Sequence, residues 1–145
     1  MVAQHASPPR CFGFEAMSEF SGKVALVTGS SSGIGEAIAR SLHSLGASVV
    51  INSSSSVEAG QKIAESLGEN AIYVQADISD KDACLRLIDD TLKRFGKLDI
   101  LINNAGWTEL VPHHDLDALT DEVFQKTFDV NVWAHGHSPK RPCHI

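Results

Sequence analysis

Thr28-Gly29-Ser30-Ser31-Ser32-Gly33-Ile34-Gly35 carries the residue types in this chain best suited to chemistry, set between an apolar run and a helical pattern. Glycines let the backbone come close to a ligand, and the free N–H groups and dipole of a following helix start attract phosphate. Before the octapeptide, Lys23-Val24-Ala25-Leu26-Val27-Thr28 reads as a buried parallel strand. After it, Ile34, Ile38, Ser41, Leu42 and Leu45 recur at helical spacing and Gly46 closes the helix. The seam reads as a dinucleotide site. Its glycines fall as G-x-x-x-G-x-G, not as the G-x-G-x-x-G of the long-chain fingerprint. Taken alone, such a joint also serves as a plain tight turn.

The elements around it decide between the two. Ser48-Val49-Val50-Ile51-Asn52 predicts a second strand, Ala71-Ile72-Tyr73-Val74-Gln75-Ala76-Asp77 a third, and Leu98-Asp99-Ile100-Leu101-Ile102-Asn103 a fourth. Between them, Val57, Ile63, Ala64 and Leu67 make one helical stripe, and Cys84, Leu87, Ile88, Leu92 and Phe95 the next. The serines at 53–56 read as the loop after the second strand, one of them capping the following helix. Strands alternating with amphipathic helices predict an α/β fold of βαβ units, a Rossmann-type doubly wound parallel sheet of about four strands.

With these elements placed, the chain resembles a short-chain dehydrogenase/reductase from Phe20 to about Ala134. The family's T-G-x-x-x-G-x-G is Thr28 to Gly35, its Asp-Ile/Val pair is Asp77-Ile78, and its N-N-A-G is Asn103-Asn104-Ala105-Gly106. The asparagine of the family's catalytic tetrad matches Asn131, within Asp129-Val130-Asn131-Val132. The resemblance implies a strand order of 3-2-1-4 and hydride transfer between a nicotinamide and a carbonyl or alcohol carbon. It also implies roles for individual residues. Gly29, Gly33 and Gly35 shape the turn around the pyrophosphate, and Ser31 and Ser32 supply hydroxyl and backbone contacts; Ile34 belongs to the same loop. Asp77 accepts from the adenine amino group beside Ile78. Asn104, Ala105 and Gly106 pass near the adenosine ribose, and this segment also ties the central strands together. Asn131 bends its helix.

Each assignment has a plainer alternative. The serines could simply solvate a turn, and Asp77 could cap the helix starting at Lys81, a place Ser79 or Asp80 fills equally well. Cofactor choice rests on the end of the second strand, where an acid would hold the ribose 2′-OH and favour NAD. Asn52 and Ser53 stand there instead. Short hydroxyl side chains can donate to a phosphate, which tilts the choice slightly toward NADP, although Ser32 replaces the arginine of many NADP-preferring relatives.

The same resemblance marks what is missing. The family's general acid/base is a tyrosine with a lysine four residues on, because a phenol needs a nearby cation to bring its pKa toward neutrality. The single tyrosine here, Tyr73, lies within the third strand and is followed four positions later by Asp77. It reads as a packed aromatic. Of the tetrad only Asn131 is present, so the 145-residue chain is expected to be inactive by itself. Three readings stay open: an oxidoreductase recorded in part, a non-catalytic nucleotide-binding module, and an unstable truncated product.

Composition bounds the alternatives. A hydrophobic content of 43%, charged content of 21% and net charge of −6 suit one soluble domain and argue against nucleic acid. No apolar run reaches the ~18 residues of a membrane span. Cys11, Cys84 and Cys143 are isolated, which suits a reducing, cytoplasmic setting. His113-His114, His135-x-His137 and Cys143-His144 lack the spacing of metal ligands, so no metal is expected. Residues 1–16 read as an extension outside the domain, 17–134 as the nucleotide-binding domain with Met17 as a plausible start, and 135–145 as an aberrant tail. In that tail, Gly136, Pro139 and Pro142 stop a helix set up by Val123, Phe124, Thr127, Phe128, Val130 and Asn131. A frameshift, a truncated gene model or a splice variant would each produce it. The full-length form is expected to be a homo-oligomer acting on a small carbonyl or alcohol, and the fragment to self-associate through its fourth strand. Trp107 and the loop through His113 are candidates for the substrate cleft.

Overall fold

A computed structural model describes residues 19–134. Met17, the extension and the tail, with Cys11, Cys143 and the histidines at 135, 137 and 144, lie outside the described residues. The elements run β1 (Val24–Val27), α1 (Gly33–Ser44), β2 (Ser48–Ser53), α2 (Val57–Leu67), β3 (Ala71–Gln75), α3 (Lys81–Phe95), β4 (Ile100–Ile102) and α4 (Asp121–Phe128). A short 3-10 turn at Leu116–Ala118 precedes α4, and a π-helical turn at Asp129–Trp133 extends it. All strands pair in parallel, in the order β3-β2-β1-β4. This is the expected doubly wound Rossmann-type sheet.

Two-residue alternation along the strands sorts the core into two layers. Ala25, Val27, Val49 and Ile51 face one side and bury Ala39 of α1 with Ile63 and Ala64 of α2. Leu26 and Val50 face the other and bury Ala83 and Leu87 of α3. β1 is buried at all four positions, as the run of β-branched and aliphatic residues requires of an inner parallel strand.

The expected boundaries shift in physically readable ways. β4 forms over Ile100–Ile102 and not from Leu98, because Asp99 turns its Oδ2 to accept from the Val24 N–H at 2.8 Å and anchors the strand's entry to β1. Ile34 was expected in the apolar stripe of α1 but is 76% exposed, since the first helical turn stands clear of the sheet. On α3 the expected Leu87, Ile88 and Phe95 pack against the sheet and Cys84 beside Ile78, with Ala83 and Thr91 buried between them, while Leu92 faces outward. Ser56 occupies the N-cap of α2, yet its hydroxyl makes no capping bond. At the start of α3 the caps resolve plainly: Asp80 accepts from the Asp82 N–H at 2.8 Å. Gly96 ends that helix in the left-handed region. Among the described residues, no helix is long and apolar enough to cross a membrane.

Candidate functional site

The C-terminal ends of β1, β2, β3 and β4 open onto one cleft of about 340 Å³. Parallel sheets place ligands there, because strand ends and helix starts converge on the crevice where the strand order reverses. The expected residues Gly29, Ser31, Asn52, Ser53, Asp77, Ile78, Asn104, Ala105 and Gly106 all line it. Ser54, Ser56, Ala76, Trp107 and Val130 complete the wall. Ser32, Gly33, Ile34 and Gly35 are not part of that wall; they form the entry to α1 beside it.

The three motif glycines have different reasons to be glycine. Gly29 has φ +62°, and a Cβ on it would stand 2.7 Å from the Cα of Ala105. A Cβ on Gly35 would strike the Asn104 amide and the Gly29 carbonyl. Both are therefore fixed by packing of the β4 end against the loop. Gly33 has φ +59° and nothing within 4 Å of the Cβ position. Its bare face opens outward at the helix start, where an anion would approach. Ser32 holds the N-cap position with its hydroxyl uncommitted to the helix, so the first-turn N–H groups have no side-chain cap.

Thr28 and Asn104 lock the loop to β4. Thr28 Oγ1 accepts from the N–H groups of Asn104 at 3.0 Å and Ala105 at 3.1 Å and donates to the Ile102 carbonyl. The Asn104 amide donates to the carbonyls of Thr28 at 2.9 Å and Gly29 at 3.1 Å. Asn104 thus spends its side chain on the scaffold.

Asn52 does the same: it borders the cleft, but its amide is spent on the scaffold. It is 1% exposed, donates to the carbonyls of Val74 and Ala76, both at 3.1 Å, and accepts from the Gly29 N–H. Ser30 seals the same junction, donating to the Val27 carbonyl at 2.7 Å while accepting from the Asn52 N–H. The polar groups left to face the cleft at the β2 end are those of Ser53, Ser54 and Ser56.

Across the cleft, Asp77 is exposed. Its Oδ1 accepts from the Ser79 N–H at 2.9 Å and hydroxyl at 2.7 Å, an Asx turn that fixes the carboxylate at the rim. Ile78 is buried beside it. The Cys84 thiol donates to the Ile78 carbonyl, and burial, followed by the charges of Asp80 and Asp77, pushes its pKa up. Asn131 sits in the π-helical turn and pairs with both backbone groups of one residue: its Oδ1 accepts from the Trp107 N–H at 2.8 Å and its Nδ2 donates to the Trp107 carbonyl at 2.7 Å. The Trp107 ring lies under Lys126, whose Nζ is 4.1 Å from its centroid. The one described tyrosine, Tyr73, meets Ser53 Oγ at 2.9 Å and lies away from the cleft. Among the described residues, no group of three His, Cys, Asp or Glu is placed to hold a metal.

The residues lining the cleft that spacing did not reveal are mostly loop neighbours. Ser54 and Ser56 follow β2 directly, and a loop leaving the C-terminal end of a parallel strand was signal enough to include them. Val130 had no local signal, because its place depends on how α4 returns over the cleft.

Comparison with known proteins completes the assignment. The sequence profile of the short chain dehydrogenases matches residues 23–138. The chain belongs to the short-chain dehydrogenase family. This short-chain dehydrogenase chain is 50% identical over 109 residues to the granaticin polyketide synthase putative ketoacyl reductase 2 of Streptomyces violaceoruber, covering 75% of this chain and 43% of that protein. It is 45% identical to versicolorin reductase 1 of Aspergillus parasiticus, over 77% of this chain and 42% of that protein. A short chain dehydrogenase of Burkholderia cenocepacia, solved in complex with NADP, superposes with a TM-score of 0.74 at 43% identity, covering 81% of this chain and 48% of that one. The chain therefore spans less than half the length of the relatives it matches.

Proposed function

We propose that this chain is the nucleotide-binding half of an NAD(P)-dependent oxidoreductase that transfers hydride between a nicotinamide and a small carbonyl or alcohol. The observation that carries this is the cleft at the four strand ends, with Gly33 bare and the start of α1 uncapped beside it. The residues present fit the adenosine–pyrophosphate part of such a cofactor. Ser31, Ser32 and the N–H groups after Gly33 receive the pyrophosphate, Asp77 and Ile78 the adenine, and Ala105 and Gly106 flank the ribose. Gly29, Gly35, Asn52 and Asn104 hold those groups in place. A bound nicotinamide ring would supply or accept the hydride.

NADP is the preferred form, because the wall after β2 offers serines and no acid. A carboxylate there would repel a 2′-phosphate. The relatives named as reductases, and the neighbour solved with NADP, support this direction. By itself the 145-residue chain transfers no hydride, since its one tyrosine is committed to Ser53 and has Asp77 in place of a lysine four residues on. Residues 17–134 act as the binding domain, 1–16 and 135–145 as additions to it, and the setting is a reducing cytoplasm.

Calorimetric titration of the full chain with ADP-ribose tests the reading. Wild type should bind, and Gly33→Val should abolish binding by placing a branched side chain where phosphate must approach. Equal binding by both would show that the glycine turn is not the site. Reduction of a carbonyl substrate by the purified chain, with contamination excluded, would overturn its expected inactivity.

A further inference from the structure

Tyr73 is the only tyrosine of the chain, and the catalytic role played by a tyrosine in the family leaves it unexplained. It sits on β3 opposite Ile51 of β2, and its hydroxyl reaches two residues farther along that strand to Ser53 Oγ at 2.9 Å. Its ring lies against Gly60 of α2 so closely that a Cβ there would overlap ring atoms. Ser53 is 6% exposed and lines the cleft. Two residues along β3, Gln75 Nε2 donates to the Ser54 carbonyl at 2.8 Å. β3 thus grips the loop after β2 at two consecutive residues, and the loop carries the serines on the 2′ side of the cleft.

Hydrogen-bond chemistry gives this grip a direction. A phenol is a better donor and a poorer acceptor than an alcohol, as its pKa near 10 implies. Either hydroxyl of the Tyr73–Ser53 pair can donate, and the stronger phenol donor favours Tyr73 O–H to Ser53 Oγ. The serine's own proton is then left to donate elsewhere, and the cleft is what Ser53 lines. We infer that Tyr73 is a positioning residue for cofactor selection: it presents the Ser53 hydroxyl as a donor to the 2′-phosphate of a bound adenine dinucleotide. The inference rests on the nucleotide-binding reading above. The fully spent amide of Asn52 strengthens it, because that residue cannot share the task.

The full chain is titrated calorimetrically with ADP-ribose and with 2′-phospho-ADP-ribose, for wild type, Tyr73→Phe, Ser53→Ala and the double variant. Tyr73→Phe keeps the ring against Gly60 and removes only the hydroxyl. The expected result is a loss of about five-fold in affinity for the 2′-phosphorylated ligand, the scale of one hydrogen bond, with ADP-ribose affinity unchanged within about two-fold. Ser53→Ala should give the same selective loss, and the double variant should add little to either single one. Equal loss for both ligands would assign Tyr73 a purely structural role and overturn the inference, as would no loss for either. A wild-type chain that binds neither ligand overturns the nucleotide-binding reading itself, and this inference falls with it. Should Tyr73→Phe fail to fold by circular dichroism, Tyr73→Leu, which also lacks the hydroxyl, is read by the same ratio.

Discussion

At the residue scale, the glycine loop separates what holds the site from what the site presents. Gly29 and Gly35 are pressed against Ala105 and Asn104, while Gly33 faces open space. Gly29→Ala is therefore expected to cost more than the ~1 kcal/mol of a left-handed alanine, because the added methyl also overlaps Ala105. Gly33→Ala should cost only about that backbone penalty while weakening ADP-ribose binding. Urea denaturation beside calorimetry checks the pair, and equal stability losses at the two positions would contradict the assignment. Cys84 gives a second prediction at this scale. Burial and the neighbouring Asp80 and Asp77 hold its pKa above the usual thiol range, so little thiolate exists near neutral pH. Its alkylation by iodoacetamide, read at Cys84 by peptide mapping, should be much slower than that of an unfolded control at pH 7.5, and fast labelling of Cys84 in the folded chain would refute the burial on which this depends.

At the element scale, two polar anchors fix β4 and the segment after it. Asn131 pairs both halves of its amide with the backbone N–H and carbonyl of Trp107, and the π-helical turn around it sets the side chain at that position. Asn131→Ala should destabilise the chain by roughly 1–3 kcal/mol, with hydrogen exchange accelerating at the Trp107 amide while β1 stays protected. Uniform acceleration across the sheet would argue against a local clamp. Asp99 anchors the strand's entry. The Val24 N–H, and after it Lys97 and Lys23, hold its carboxyl below the usual carboxylate range despite partial burial. A depressed folded pKa adds stability above the unfolded value of about 3.9, and this is lost as pH falls through the folded value. Asp99→Asn should lower the melting temperature near pH 7, where that contribution is fully present, and converge on wild type as pH falls, so that the acid limb of the profile flattens. The glycine spacing, strand alternation and motif order were readable along the chain because each is a local pattern. The work of Asn52, the outward turn of Leu92 on α3 and the partner of Tyr73 were not, since each depends on residues 20 or more positions apart or on how a helix seats against the sheet. Asp77 lay between: its turn with Ser79 is local, while its place on the rim needed the sheet.

At the scale of the whole molecule, the sheet is asymmetric in how its edges are protected. β3 is gripped along its inner side by β2 and backed by α2, with Gln75 and Tyr73 tied across. β4 pairs only with β1 among the described residues, and its three residues are isoleucine, leucine and isoleucine, all half-buried. Parallel strands with apolar side chains on both faces lack the charges, prolines or bulges that discourage pairing with another chain. α4 and its π-helical extension also leave Phe124, Phe128, Val132 and Trp133 exposed at about half their surface or more. The chain is therefore expected to self-associate through β4 in solution. Light scattering after size exclusion should show a mass that rises with loading concentration, and Ile100→Lys should lower it. That substitution also places a charge where Ile100 packs against Ala25 and Val27, so its melting temperature is recorded alongside. A monodisperse monomer at all concentrations, with cooperative unfolding, would show that the β4 edge is covered by other means.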